Sequence, residues 1–394
     1  MRKTINIGDL GTIITGKTPP TTNKSYYGDY AVFIKPTDIS EQSKYTYETE
    51  EMYSKLAAEK YESSLIPKGA ICVPCIGTIG TKMTMAPCDC YTNQSINSII
   101  CNENYDNEYV YYLIKNFLPG LKAYNLGTAS GREYVSKSNF EKIELVAEQD
   151  KEIQKKIGVI LSRYDSLIEN YQKQIKLLEE AARRLYKEWF IDLHFPGHEN
   201  TKIVDGVPEG WERKSIGDIG EYLNGFAFKP SDWQELGKPI IKIKEMGNGV
   251  TNDTPRNNGE RVPAKYLIKA GDLLFSWSAT LMVIIWSGED GWLNQHLFKV
   301  TPAKGINREF LLQSISNTIV EFQNLTTGST MKHIQRNKLD QVFVNVPNAE
   351  IMKRYTDISE KTRSNILSLQ SQLRLLTEAR DRLLPKLMSG EITV

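Results

Sequence analysis

The feature that most constrains this chain is an internal repeat that relates its first half to its second half. The sequence Ile-Gly-Asp-Leu-Gly at residues 7–11 recurs as Ile-Gly-Asp-Ile-Gly at residues 216–220, and residues 177–181 match residues 375–379. The offset between matching residues drifts slowly, from 209 to 198, as loops differ in length. Because a repeat in sequence indicates a repeat in structure, the 394 residues predict two units of like architecture in tandem.

Each half combines a globular part with a long helix. Short runs that favour strands, such as residues 31–34 and 240–243, lie among many turn residues, and a charged stretch with helical periodicity follows in each half. The pattern predicts an α+β fold with two mixed α/β domains in tandem repeat, separated by two long helices that pack as an antiparallel coiled coil. The predicted segments are a first domain at 1–147, a first helix at 148–193, a second domain at 194–346 and a second helix at 347–394.

The two helical stretches share one apolar seam. Its residues recur at steps of three and four, and from Ile168 onward the period is 3.5 residues, as in a coiled coil. The first helix would be roughly 64 Å long, too long to bury in one domain, so we expect it to pack on its own copy. Pro385 should end or kink the second helix. The predicted pairing residues are Ile168, Tyr171, Ile175, Leu178, Leu185, Trp189, Ile366, Leu369, Leu373, Leu376, Leu383 and Leu387.

The composition limits the class of protein. Lys and Arg total 49 against 48 for Asp and Glu, so a formal net charge of +1 excludes binding to nucleic acid through a global basic field. Hydrophobic residues make up 40% of the chain, which is enough for more than one core. The sequence has no run of about 18 apolar residues and no signal peptide at its start. We therefore expect no membrane span and a cytoplasmic location.

Residues 11–18 satisfy the nucleotide-binding pattern G-x-x-x-x-G-K-[ST]. Two prolines follow at once, which disfavours the helix that such a loop needs, and the second half lacks the Lys-Thr pair. An exposed loop lysine at position 17 is the favoured interpretation over nucleotide binding.

The five cysteines all lie between Cys72 and Cys101. Cys72, Cys75, Cys88 and Cys90 have a spacing that could bind zinc. The second half has no cysteine, so the shared architecture does not need a metal. Reduced thiols, in part buried as small apolar residues, are the favoured interpretation, and no metal site is assigned.

Three segments resemble the specificity subunit of type I restriction-modification enzymes. They are residues 184–190 running into 194–197, residues 207–212, and the C-terminal residues 380–391. The resemblance covers the whole chain and the order of its parts. It implies two target-recognition domains that each read one half of a split double-stranded DNA sequence. It also implies that the helices set the separation of these domains and dock other subunits.

The resemblance further implies which chemistry lies in partners. In this family two methylation subunits bring S-adenosylmethionine and methylate adenine at N6, and two restriction subunits bring ATP- and Mg-dependent translocation and cleavage. The chain itself should hold no catalytic residue and no cofactor, and alone it should be monomeric or weakly self-associating. Consistent with this, the sequence contains no Asp/Asn-Pro-Pro-Tyr/Phe tetrapeptide and no Gly-rich S-adenosylmethionine loop.

Candidate DNA contacts lie mainly where the two repeats agree. Small residues let the backbone approach phosphates, Lys and hydroxyl groups donate to them, Arg can pair with guanine, and Asn and Gln can pair with adenine. The two Asn-Gln pairs could equally form strand-edge turns or cap the backbone. The candidates are Lys17, Lys35, Asn93, Gln94, Ser130, Arg132, Tyr134, Lys242, Lys244, Asn294, Gln295, His296, Thr330, Lys332, His333 and Arg336.

Two other functions stay open from the residues alone. The low net charge favours a coiled-coil interaction scaffold with two globular ends and no DNA specificity. A self-contained modification or restriction enzyme is the third hypothesis, and the missing motifs argue against it. Salt dependence separates the first two, because phosphate contacts make affinity fall steeply with salt.

Overall fold

The computed structural model describes residues 2–77, 79–127, 131, 133–325 and 336–394. The chain divides into two units. Unit 1 comprises Met1–Asn170 with Arg374–Val394, and unit 2 comprises Tyr171–Leu373. Each unit therefore holds one globular part together with a portion of each long helix. No described helix is both long enough and apolar enough to cross a membrane.

The described residues of unit 1 form three sheets. Its strands are β1 (Arg2–Asn6), β2 (Gly11–Thr15), β3 (Tyr27–Gly28), β4 (Ala31–Ile34), β5 (Met52–Tyr53), β6 (Ile71–Pro74), β7 (Thr84–Met85), β8 (Tyr91–Thr92), β9 (Ile96–Cys101) and β10 (Glu144–Glu148). Its helices are α1 (Lys55–Lys60), α2 (Asn107–Phe117), α3 (Lys137–Glu141) and the first part of α4 (Lys151–Tyr186). The sheets have the orders β1-β10, β2-β9-β6-β7 and β3-β5-β4-β8, and only the β4–β8 pairing is parallel.

The described residues of unit 2 repeat two of these sheets and form a third, related sheet. Its strands are β11 (Ile203–Val204), β12 (Val207–Pro208), β13 (Glu212–Ser215), β14 (Gly220–Asn224), β15 (Lys238–Ile241), β16 (Arg256–Asn257), β17 (Leu267–Ile268), β18 (Leu273–Ser276), β19 (Met282–Ile285), β20 (Gly291–Leu293), β21 (Leu297–Pro302) and β22 (Phe343–Val346). Its helices are α5 (Ile243–Asn248), α6 (Arg308–Asn324) and most of α7 (Ala349–Ser389). The orders β13-β22 and β14-β21-β18-β19 match those of unit 1. The third sheet, β16-β15-β20-β17, also contains one parallel pairing, of β15 with β20, but has it at the centre rather than at the edge. A small hairpin, β11-β12, precedes them. The predicted fold class is confirmed.

One helix in each unit packs against a four-stranded sheet and contributes to the core. Helix α2 packs on the sheet that contains β6, and helix α6 packs on the sheet that contains β19 and β21. Asp106 caps α2 by accepting a hydrogen bond from the Tyr109 amide at 3.0 Å. In unit 2 the side chain of Asn307 caps α6 in the same way. Because each cap satisfies amides that the first turn leaves unpaired, both helices begin at equivalent places. Tyr109 of α2 and Phe310 of α6 are then fully buried.

Parts of the two long helices pack antiparallel within each unit. In unit 1, Ile157 and Leu161 near the start of α4 share a buried cluster with Leu384 and Leu387 near the end of α7. In unit 2 the two helices are again antiparallel. Trp189, just after the end of α4, contacts Tyr355 near the start of α7, with ring centroids 6.0 Å apart.

None of the predicted seam residues is fully exposed. Ile168, Ile175, Trp189, Ile366 and Leu387 are buried. The partly buried members are Tyr171, Leu178, Leu185, Leu369, Leu373, Leu376 and Leu383.

Pro385 was expected to end or kink the second helix, and it does not end it. Helix α7 continues through Pro385 to Ser389. A proline removes one backbone N–H and so leaves the carbonyl four residues earlier without its helical donor. That carbonyl belongs to Asp381, an exposed residue, where water can replace the missing donor.

A buried ion pair ties α7 to each unit. In unit 1, Arg380 Nη1 lies 2.6 Å from Asp165 Oδ1, and the Tyr112 hydroxyl donates to Asp165 Oδ2 at 2.6 Å. Burial alone would raise the pKa of Asp165, but Lys115, Arg380 and the Tyr112 hydrogen bond together hold it below its usual value. In unit 2, Arg363 makes two hydrogen bonds to Glu309, of 2.8 and 3.0 Å.

Candidate nucleic-acid interface

Three segments of unit 1 meet at the tight turn that carries the first Asn-Gln pair. The Ile96 amide donates to the Asn93 carbonyl at 3.1 Å, which closes a turn between β8 and β9. The Lys17 amide donates to Thr92 at 2.9 Å, and the Asn93 amide donates to the carbonyl of Ile34 at 3.0 Å. We call residues 93–96 the Asn-Gln turn of unit 1. It is held between the chain after β2 and the end of β4.

Unit 2 builds the same arrangement from different side chains. The Leu297 amide donates to the Asn294 carbonyl at 3.0 Å, closing the Asn-Gln turn of unit 2 at residues 294–297. The Phe226 amide donates to Leu293 at 2.8 Å, and the Asn294 amide donates to Ile241 at 3.2 Å. Each bond has its counterpart in unit 1. The backbone at this place is therefore repeated although its side chains differ.

A glycine lets the chain approach each Asn-Gln turn closely. Any Cβ atom at Gly16 would overlap the carbonyl oxygens of Thr92 and Asn93, and one at Gly225 would overlap the carbonyls of Leu293 and Asn294. The neighbours are backbone atoms that cannot move aside without breaking the hydrogen bonds just described. Glycine is thus the residue that fits at both places.

Gly225→Ala is expected to lower the free energy of unfolding by about 1–3 kcal/mol or more, because the added methyl group must push two strands apart. Urea unfolding of the full chain would measure the change. Gly247→Ala is the matched control, since its Cβ would have no neighbour nearer than 3.9 Å and it lies in α5. Equal stability of the two variants would contradict the close approach.

The predicted contacts of unit 1 fall into different environments. Lys17 and Gln94 are exposed at the Asn-Gln turn, whereas the Asn93 side chain accepts from the Ser95 amide at 3.0 Å and so caps its own turn. Lys35 follows β4 but lies 2.7 and 3.2 Å from the carboxylates of Glu50 and Glu51.

Those two carboxylates determine the charge state and availability of Lys35. Burial alone would lower the pKa of Lys35, but the hydrogen bonds from Glu50 and Glu51 outweigh it and raise the pKa. Lys35 is therefore charged but already compensated. Tyr134 lies elsewhere, in an isolated bridge with Ile76.

In unit 2 the predicted contacts lie on several different elements. Asn294 is only 4% exposed, whereas Gln295 and His296 are partly exposed. The His296 ring lies 5.7 Å from the ring of Trp277. Lys242 follows β15 directly and is partly exposed. Lys244 and Arg336 are exposed, on α5 and at the start of a 3-10 helix (Arg336–Gln341).

Five predicted contacts lie outside the described residues, and they are Ser130, Arg132, Thr330, Lys332 and His333.

Two residues near these turns were not predicted as contacts. Thr18 donates its hydroxyl hydrogen bond to Gln94 Oε1. Trp233 is 47% exposed, and the Lys242 ammonium lies 4.4 Å from the centre of its ring. An exposed tryptophan beside a lysine is a cation–π pair that can also stack on a sugar or base. Its sequence signal is weak, because nothing nearby in the chain indicates that Trp233 is exposed.

The local backbone does not supply a phosphate-binding loop at residues 11–18. Residues 16–20 form no helix, and the Lys17 amide is already bonded to Thr92. A phosphate loop needs free amides at the start of a helix.

Three of the five cysteines, all in unit 1, are thiols packed in its core. Cys72, Cys75 and Cys90 are buried, and burial raises the pKa of Cys72 and of Cys75 to about 12. Cys88 is exposed. Among the described residues, no group of three or more His, Cys, Asp or Glu side chains could hold a metal ion.

One exposed face of the long helices is repeated in both copies. Leu177 on α4 is 64% exposed, and its repeat equivalent Leu375 on α7 is 54% exposed. One turn after each leucine lies a glutamate that pairs with an arginine of the following turn. Glu180 pairs with Arg184, and Glu378 pairs with Arg382 at 2.6 Å. We call these residues, with Ala181 and Ala379, the duplicated helix face. These positions hold the same residues in both copies.

Comparison with known proteins gives one consistent result. The profile of the family described as "Type I restriction modification DNA specificity domain" matches residues 2–180 and 208–373. The chain is 26% identical over 410 residues to the type I restriction enzyme MjaIX specificity subunit of Methanocaldococcus jannaschii, covering 98% of this chain and 93% of that protein. It is 38% identical over 165 residues to the HindI specificity subunit of Haemophilus influenzae, covering 40% and 35%.

Among solved structures, the fold is similar to the crystal structure of the type I restriction-modification system S subunit from M. genitalium. The TM-score is 0.60 at 16% identity, and the likeness covers 98% of this chain and 96% of that chain.

Proposed function

The chain belongs to the family of type I restriction-modification specificity subunits, and on this premise we propose that each of its two units reads one half of a bipartite double-stranded DNA site. The observation that carries the proposal is the Asn-Gln turn, built twice on the same backbone hydrogen bonds. The turn of unit 1 carries the exposed Gln94 and has the exposed Lys17 beside it. The turn of unit 2 carries the partly exposed Gln295, and the partly exposed Lys242 follows the neighbouring strand β15. Two turns with the same backbone structure but different surrounding side chains suit two half-sites of different sequence.

The proposed role is recognition without catalysis. Methyl transfer to adenine N6 and ATP-driven cleavage would be the work of two methylation and two restriction subunits, which would bring S-adenosylmethionine, ATP and Mg²⁺. The absence of an Asp/Asn-Pro-Pro-Tyr/Phe tetrapeptide from the sequence supports this assignment. A net charge of +1 also fits a protein whose partners supply part of the phosphate binding.

The duplicated helix face supports docking of the methylation subunits. It presents an exposed leucine beside a Glu–Arg pair once on α4 and once on α7. Two copies of one surface suit two copies of one partner. A groove of about 480 Å³ lies beside Leu177 between the two helices in unit 2 and is lined by Leu178 and Leu369.

The function is tested by selecting sites from a random DNA pool with the full chain bound to its methylation subunit. We expect two short sequence elements separated by a fixed gap. Affinity for the selected site should fall steeply between about 50 and 200 mM salt, because phosphate contacts release counterions. Recovery of DNA without any sequence preference would instead favour the interaction scaffold.

A further inference from the structure

We propose that Gln94 and Gln295 are equivalent specificity-determining residues, and that each presents amide N–H donors to hydrogen-bond acceptors on a DNA base edge. This inference rests on the proposed function, since it names the side chains and the polarity of recognition within each unit. It goes further by excluding the neighbouring asparagines as base readers.

Both glutamines occupy the same place in the fold. Each is the second residue of an Asn-Gln turn, which is the outermost position of a four-residue turn. The turn leaves Gln94 exposed and Gln295 partly exposed. Because three backbone hydrogen bonds and a close glycine fix each turn, the glutamine starts from a rigid position.

The asparagines beside them are already used by the protein. Asn93 Oδ1 accepts the Ser95 amide at 3.0 Å, and Asn294 is almost fully buried. Removing either side chain from its turn would leave a backbone or buried polar group unsatisfied. The glutamine is therefore the member of each pair that can reach a ligand.

The carboxamide oxygen of each glutamine is held by an internal donor. In unit 1 the hydroxyl of Thr18 donates to Gln94 Oε1. In unit 2 the Nδ2 amino group of Asn294 donates to Gln295 Oε1 at 2.8 Å. Different donors thus engage the same atom of the two glutamines. Within the described part of the chain, neither glutamine Nε2 has a hydrogen-bond partner, so the outward group is a donor of two N–H bonds.

An outward NH₂ group selects bases by what they accept. In the major groove guanine offers N7 and O6 as neighbouring acceptors, whereas cytosine offers the N4 donor. A glutamine whose oxygen is held internally loses the two-bond pairing with adenine that a free carboxamide makes. We therefore expect each half-site to contain a position at which guanine is preferred and cytosine is rejected.

Gln94→Glu and Gln295→Glu test this polarity, because a carboxylate has nearly the same shape but only accepts. Each variant, bound to the methylation subunit, is put through selection from random DNA. Gln94→Glu should reduce the preference at one position of one half-site by roughly tenfold or more and favour bases that present a donor, with the other half-site unchanged. Gln295→Glu should do the same in the other half-site.

Two further variants separate the orientation of the glutamine from its presence. Thr18→Val keeps the shape of Thr18 but removes the donor that holds Gln94, so it should relax discrimination against adenine at the same position. Gln94→Ala should lose the preference without acquiring a new one. Gln372→Glu is the matched control for the charge change, since Gln372 is an exposed glutamine on α7, and both half-sites should stay as in the wild type.

The outcomes distinguish this inference from the function on which it rests. If the wild-type complex selects no bipartite site, the proposed function fails. If the wild type selects one and both glutamate variants select the same bases with the same strength, the glutamine assignment is overturned. A change in both half-sites from a single glutamate variant would overturn it as well.

Discussion

Arg363→Ala is expected to lower the free energy of unfolding by about 3–5 kcal/mol, the largest effect on stability that we anticipate for a single substitution. Arg363 and Glu309 side chains are 9% and 3% exposed, and two hydrogen bonds join them. Without Arg363, Glu309 would stay buried as an uncompensated charge, with the Gln313 amide as its neighbouring donor at 2.9 Å. Urea unfolding followed by far-UV circular dichroism would measure the loss.

Two comparisons make the test of Arg363 specific. Arg354→Ala removes an arginine from the same helix whose ion pair with Glu350 is 54% and 71% exposed, and it should change stability by at most about 0.5 kcal/mol. Replacing Arg363 and Glu309 together with Met and Leu should be far milder than Arg363→Ala, because no charge is left buried. If Arg363→Ala were as mild as Arg354→Ala, the pair would not be buried as described.

Exchange of residues 1–147 for the corresponding domain of another family member is expected to change one half of the selected DNA sequence completely and leave the other half unchanged. The reason is that every hydrogen bond of the first Asn-Gln turn comes from residues within this segment. Adenine methylation of the genome, mapped in cells that carry the chimera, would display both half-sites at once.

The reciprocal exchange of residues 194–346 is the control for this experiment, and it should change the other half-site alone. The gap between the half-sites should stay the same in both chimeras, because neither exchange alters the length of α4 or α7. A chimera that still recognises the unchanged bipartite sequence would refute the assignment of one unit to one half-site.

The tandem architecture and the helices could be predicted because their signals are long. A seam with steps of three and four over about forty residues is typical of a long helix that packs on another helix, and it recurs in the second half. The sheets were harder to predict from the sequence. Strands such as Tyr91–Thr92 are two residues long, and β4 pairs with β8 across more than about fifty residues of chain. Local propensity does not contain such pairings.

At the candidate interface the types of residue could be predicted from the sequence. Which of their side chains are exposed and which are bonded within the protein could not. The repeated Asn-Gln pair indicated a shared site, yet only the structure shows that Asn93 caps its turn while Gln94 faces outward. Lys35 has the same charge as Lys17, but two glutamates further along the chain compensate it.

Arg380 lies at an otherwise apolar seam position, and its adjacent partner Asp381 does not explain its burial. Its partner Asp165 lies on the other helix. Ion pairs between residues distant in sequence leave no local pattern.

The way in which each Asn-Gln turn is closed without the side chain of its glutamine has an evolutionary consequence. Since no side chain at position 94 or 295 takes part in closing the turn, many residue types can occupy these positions without cost to the fold. A single amino-acid substitution there would change the DNA sequence that the protein recognises while the fold stays the same. New DNA specificities would then arise by small steps, one half-site at a time, within an unaltered assembly.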